Sequence, residues 1–111
     1  MKTALQITFR QMDSSPSIEA AVAEEVERLE RLHPRLSACE VMIEAPHRHQ
    51  RQGRHFHVRV QLAAAGAQVV ASRDPGLDAG HEDVYVAVRD AFRAARRELD
   101  TLAGHLHERR A

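Results

Sequence analysis

CEVMIEAPHRHQRQGRHFHVRVQLA, residues 39 to 63, holds two alternating stretches around a polar centre. Cys39, Val41, Ile43 and Ala45 interleave with Glu40, Met42 and Glu44. Phe56, Val58, Val60 and Leu62 interleave with His55, His57, Arg59 and Gln61. A period of two sends successive side chains to opposite faces, so each stretch reads as a half-buried strand with a core side and a wetter side. The second of these strands spans Arg54 to Ala63, and the polar segment from Pro46 to Gly53 is the exposed connection of a hairpin.

Working outward, Thr3 to Phe9 alternates in the same way, with Leu5, Ile7 and Phe9 on one side. Ser15 then stands before Pro16, a pairing that caps a helix and starts it where a missing N–H costs nothing, and Glu19 suits the first turn. Ile18, Val22, Val26, Leu29 and Leu32 recur at steps of three and four and form one apolar stripe. Pro34 stops this helix by disfavouring helical backbone at His33. On the other side, a short link at Ala64 to Gly66 leads to a fourth strand, with Ala67, Val69 and Ala71 alternating with Gln68, Val70 and Ser72. Arg73 to Gly80 contains a Pro-Gly pair and reads as a loop. From about Asp83, Tyr85, Val88, Phe92, Ala95, Leu99, Leu102 and Leu106 keep helical spacing to the end of the chain. The order β-α-β-β-β-α predicts an α+β fold of two layers, a four-stranded sheet with both helices packed on one face. At 111 residues one core is expected, so residues 1–111 read as a single domain.

The 16 basic and 16 acidic residues cancel, but not locally. Residues 46 to 73 hold five arginines and no acidic residue, whereas acidic groups outnumber basic ones on both sides of that island. Cys39 is the single cysteine, so no intrachain disulfide is available, and no apolar signal segment opens the chain. No run approaches the roughly 18 apolar residues of a membrane span. A cytosolic, cytoplasmic protein with no membrane partner is the expectation.

Four histidines, His47, His49, His55 and His57, offer nitrogen ligands to a metal such as zinc, and His55 and His57 share a strand face. Against that, no carboxylate or thiolate is expected beside them, Cys39 falls on a core side, and Arg48, Arg51, Arg54 and Arg59 would repel a cation. Cys39 reads as a small buried hydrophobe rather than a nucleophile, and Glu82 with Asp83 as a favourable start of the last helix. No Gly-rich phosphate loop is present. An enzyme is therefore not expected, nor a cofactor.

Charge placement suits nucleic acid better. Arginines of the polar connection and of the outward side of the third strand offer planar donors to phosphate, and imidazoles add hydrogen bonds. On the last helix, Arg89, Arg93, Arg96 and Arg97 line one flank. Asp90, Glu98 and Asp100 are the local partners of an ordinary solvated face, and periodicity alone leaves both readings open. An aromatic content of 4% argues against single-strand recognition by base stacking.

The element order, together with SSPSIEAAVAEEVERLERL (14 to 32), CEVMIE (39 to 44) and HEDVYVAVRDAFRAARREL (81 to 99), resembles the ribosome hibernation-promoting factor family. Its members are also called ribosome-associated inhibitors, ribosomal subunit interface proteins or sigma-54 modulation proteins. The run Asp-Val-Tyr-Val-Ala-Val (83 to 88) is the most telling piece. The resemblance implies a bacterial cytosolic protein that binds ribosomal RNA of the small ribosomal subunit and blocks the channel for messenger and transfer RNA, without chemistry. The end of the chain after the second helix is what a short form would show, long members adding a dimerisation domain. By element, the family's RNA contacts fall here on Arg28 and Arg31 of the first helix and Arg89, Arg93, Arg96 and Arg97 of the second; charge adds Arg48, Arg51, Arg54, Arg59 and Arg73. Familiar members carry lysine-rich helices, whereas the first helix here is rich in glutamate. A homodimer through the exposed sheet face is left open.

Overall fold

The computed structural model describes residues 2–45, 56–64, 66–73 and 83–110. Its elements are β1 (Ala4–Arg10), α1 (Pro16–Leu32), β2 (Leu36–Glu44), β3 (His57–Ala64), β4 (Ala67–Arg73) and α2 (Val84–Arg110). The four strands form one sheet in chain order. β1 and β2 are parallel, because α1 carries the chain back between them, and the next two pairings are antiparallel. Ala64 pairs with Ala67, and Gly66 takes a φ of 80° in that turn, a conformation glycine adopts without a Cβ penalty.

The helix ends follow their local chemistry. Ser15 is extended, its Oγ accepts the N–H of Ile18 at 3.3 Å, and Pro16 begins α1. At the other end His33 donates its backbone N–H to Leu29 at 2.7 Å, and Leu36 donates to His33 at 3.0 Å as the chain turns into β2. Asp83 starts α2: its Oδ1 accepts the N–H of Tyr85 at 2.9 Å.

The core lies between the sheet and the helices. Val22 and Val26 of α1 are fully buried with Val41, Ile43, Val58 and Val60 of the sheet. α2 contributes Ala87, Val88, Ala91, Phe92, Ala95 and Leu99. α2 packs over β3 and β4, α1 over β2, and the helices touch each other. The α+β two-layer fold with both helices on one face is therefore present as expected.

Several details differ from the sequence reading. β2 begins at Leu36, ahead of the expected alternation, because a register shift between Leu36 and Ala38 interrupts the period of two and buries both Leu36 and Cys39. Arg73 is the last residue of β4, opposite Val58, rather than the first of a loop. Leu32 and Tyr85, assigned to apolar stripes, are about half exposed at 50% and 47%. Each sits in a terminal turn, Tyr85 turned toward α1 rather than the sheet. The connection Pro46 to Gly53, the start of the third strand at Arg54 and the whole of residues 74–82, Glu82 among them, lie outside the described residues.

Candidate nucleic-acid interface

Burial of the Val88, Phe92, Ala95 and Leu99 stripe leaves Arg89, Arg93, Arg96 and Arg97 on the exposed side of α2. The neighbours of these arginines show where that side points. The Tyr85 hydroxyl donates to Ser17 Oγ of α1 at 3.1 Å, and Asp100 Oδ1 meets His33 Nε2, just after α1, at 2.7 Å. Tyr85, Arg89, Arg96 and Asp100 recur at steps of four and seven, so both arginines stand along the seam between the helices, with Arg93 and Arg97 further toward solvent. The two ties join the start of α2 to the start of α1 and a later turn of α2 to the end of α1, so the helices run in the same direction.

The seam side of α1 is set by Ser17. Three turns on, Arg28 shares its flank, and Arg31 follows one turn later, exposed in the last turn where a cation suits the helix dipole. Arg28 thus lies on the groove side, on the same flank as Glu24 and Glu25, while Arg31 is turned further toward solvent, opposite the buried stripe. The local electrostatics are mixed. Arg28 Nη1 meets Glu25 Oε1 at 3.3 Å, Arg89 Nε lies 3.9 Å from Asp90 Oδ1, and Arg96 Nε 3.7 Å from Asp100 Oδ2. These exposed pairs hold their partners weakly. No carboxylate among the described residues stands within 4.0 Å of Arg93 or Arg97.

Arg59 goes elsewhere. It lies on the outer face of the sheet, exposed, between Met42 and Ser72 in register, with the whole sheet between it and α2. Its surroundings are charge-mixed: Arg10, Glu44 and His57 form the next row across the strands, with His57 Nδ1 at 4.0 Å from Glu44 Oε1. Arg73 closes β4 in the row that contains Val58. Arg48, Arg51 and Arg54 lie outside the described residues, as do His47, His49 and His55.

The histidine reading gains one carboxylate that the sequence did not anticipate, since Glu44 faces His57 directly across β2 and β3. Still, no group of three or more metal-ligating side chains comes together among the described residues. Cys39 is 2% exposed, and burial, with the charge of Glu40 as a second cause, pushes its thiol up to about 12. It stays protonated near neutrality and has no nucleophilic character there.

Sequence reasoning missed Ser17, Tyr85 and His33 as the residues that set the seam. Their partners are 67 and 68 positions away, and periodicity carries no signal at that range.

The fold has solved relatives. It is similar to a ribosomal subunit interface protein from Coxiella burnetii, with a TM-score of 0.69 and 13% identity over 92% of this chain and 99% of that one. It is equally similar to the Protein Y N-terminal domain from Thermus thermophilus, TM-score 0.69 and 18% identity, with the same coverage of 92% and 99%. At such identities the likeness concerns the fold. No curated protein sequence matches the chain. A family model does: that of the sigma 54 modulation protein / S30EA ribosomal protein matches residues 5–107. With nearly its whole length matched, the chain belongs to the sigma 54 modulation protein / S30EA ribosomal protein family.

Proposed function

We propose that this member of a ribosome-associated family is a translation inhibitor that acts by binding, not by chemistry. It docks on the small ribosomal subunit, contacts ribosomal RNA through arginines, and occludes the channel for messenger and transfer RNA. A cytoplasmic location follows from that partner. The observation that carries the reading is the arginine-lined seam: Arg89 and Arg96 on α2 and Arg28 on α1 share one groove, with Arg93 and Arg97 exposed beside it. Guanidinium groups held by weak surface pairs exchange a carboxylate for a phosphate at little cost, and the planar fork suits phosphate oxygens.

Arg48, Arg51, Arg54, Arg59 and Arg73 are assigned to the same RNA-binding set on charge alone. Arg59, on the far side of the sheet, reaches a separate strand of RNA or none. The test is cosedimentation of the purified protein with purified small subunits across a salt series. Near-stoichiometric binding that weakens steeply with salt, by the slope expected from several released counterions, supports the reading. Absence of binding at low salt refutes it.

A further inference from the structure

Tyr85 stands apart from the other aromatic residues. Phe92 is buried and Phe9 and Phe56 pack against the core, whereas Tyr85 is about half exposed. Exposure of one side chain means little by itself. What distinguishes this ring is that it is tied at both ends. The backbone N–H of Tyr85 donates to Asp83 Oδ1 at 2.9 Å, and its hydroxyl donates across the seam to Ser17 Oγ at 3.1 Å, which lies 3.1 Å from Ser15 Oγ. The ring therefore bridges the two helices in a fixed orientation, and a ligand that covers it loses little rotamer freedom.

The groove beside the ring is lined by small residues. On α1, Ala20 and Ala21 follow Ser17 at steps of three and four, the first exposed and the second half-buried, before the flank turns charged at Glu24. On α2, Arg89 stands one turn beyond Tyr85, about 5.4 Å along the axis, half exposed and held only by its weak pair with Asp90. A flat ring and a guanidinium at that separation match the two ends of one nucleotide, its base and its phosphate. Asp83, exposed at the start of the helix, disfavours a phosphate beside the ring and leaves that place to an uncharged base.

We propose that Tyr85 is the stacking platform for one unpaired base of RNA, with Arg89 on the phosphate of the same nucleotide. The inference rests on the RNA-binding reading and names what one end of the seam takes. Bases inside a duplex have both faces covered by their neighbours, whereas bases in loops and at ends can lie on an aromatic ring. An aromatic content of 4% argues against a row of such platforms, and a single one suffices here.

The chain holds one tyrosine and no tryptophan, so its intrinsic fluorescence reports on this ring alone. The test titrates the full-length protein, at low salt, with a six-nucleotide oligoadenylate and with the same backbone lacking bases. The oligoadenylate should quench the tyrosine emission and bind about tenfold more tightly than the abasic chain, the value of one stacked base. With labelled ligands, Tyr85→Leu should bind the two equally, whereas Tyr85→Phe, which keeps the ring and loses the tie to Ser17, should retain the preference; a purely structural tie would make both variants alike. Circular dichroism checks that each variant is folded. Binding of both ligands by the parent without quenching or preference, or a preference that survives in Tyr85→Leu, overturns the platform and leaves the RNA-binding reading standing. So does failure to bind either ligand by a protein that still cosediments with small subunits. Failure in both assays removes that reading and the platform together.

Discussion

α1 and α2 lie side by side on the same sheet, yet they use different means both inward and outward. Inward, α1 fills its space with Ile18, Val22, Val26 and Leu29, whereas α2 alternates Ala87, Ala91 and Ala95 with the bulk of Val88, Phe92 and Leu99. Small residues let the α2 backbone approach β3 and β4 closely, and Phe92 then fills the gap that they leave. Outward, α2 offers four arginines, whereas α1 mixes signs, with Glu24 and Glu25 beside Arg28 on the seam flank and Glu19, Glu27 and Glu30 on the other. A chain with no net charge can therefore still gather arginines along one side of one helix, because helical period, and not composition, decides which charges stand together.

The inward difference gives the largest expected effect. Phe92→Ala should lower stability by about 3–5 kcal/mol and Val26→Ala by about 2 kcal/mol, read from urea unfolding at equal slope. Equal losses would mean that the core is not anchored beneath α2. The outward difference comes next. Combined Arg89→Ala, Arg93→Ala and Arg96→Ala should weaken binding to small subunits about a hundredfold at low salt and reduce the salt slope by about three, while Arg28→Ala with Arg31→Ala should take off less, since fewer charges are removed. If the α1 pair matters more, the docking surface is centred on α1.

Beneath α1, Cys39 supplies a third comparison. Its thiol titrates near the ordinary value when unfolded and at about 12 when folded, so above pH 9 the unfolded chain loses a proton that the folded chain keeps. Stability should fall with rising pH, by about 1.4 kcal/mol per unit within that window. Cys39→Ala should lack this component when its urea midpoints are compared with those of the parent from pH 8 to pH 11. The smallest effects belong to the caps. Ser15→Ala and Asp83→Ala should each cost about 1 kcal/mol, and a much larger loss at Asp83 would show that α2 depends on its first turn more than α1 does.

Alternation and helical spacing made the architecture legible from the sequence, because Val41, Ile43, Val58 and Val60 bury on schedule, as do Val22, Val26, Val88 and Leu99. Leu36 was hidden by the irregularity at the start of β2, and Leu32 and Tyr85 were misplaced since a periodic stripe does not announce where the sheet beneath it stops. For the candidate site, the spacing of Arg89, Arg93 and Arg96 was readable as a flank, but not the direction in which that flank faces. Direction came from His33–Asp100 and Tyr85–Ser17, contacts between residues far apart in the chain. The cross-strand meeting of Glu44 and His57 likewise follows from hairpin register, which alternating residues around a polar connection of unknown geometry do not fix.

The parallel pairing of β1 with β2 also bears on how the sheet comes together in time. β2, β3 and β4 join through connections between neighbours in sequence, whereas β1 reaches β2 only after the whole of α1 has been spanned. Closing that longer loop costs entropy before any ladder bond repays it, so β1 is the natural last arrival in folding and the first strand to peel away. In native-state hydrogen exchange, β1 amides should open at a lower free energy than those of β3, as a partial unfolding that leaves the three-stranded meander and α2 in place.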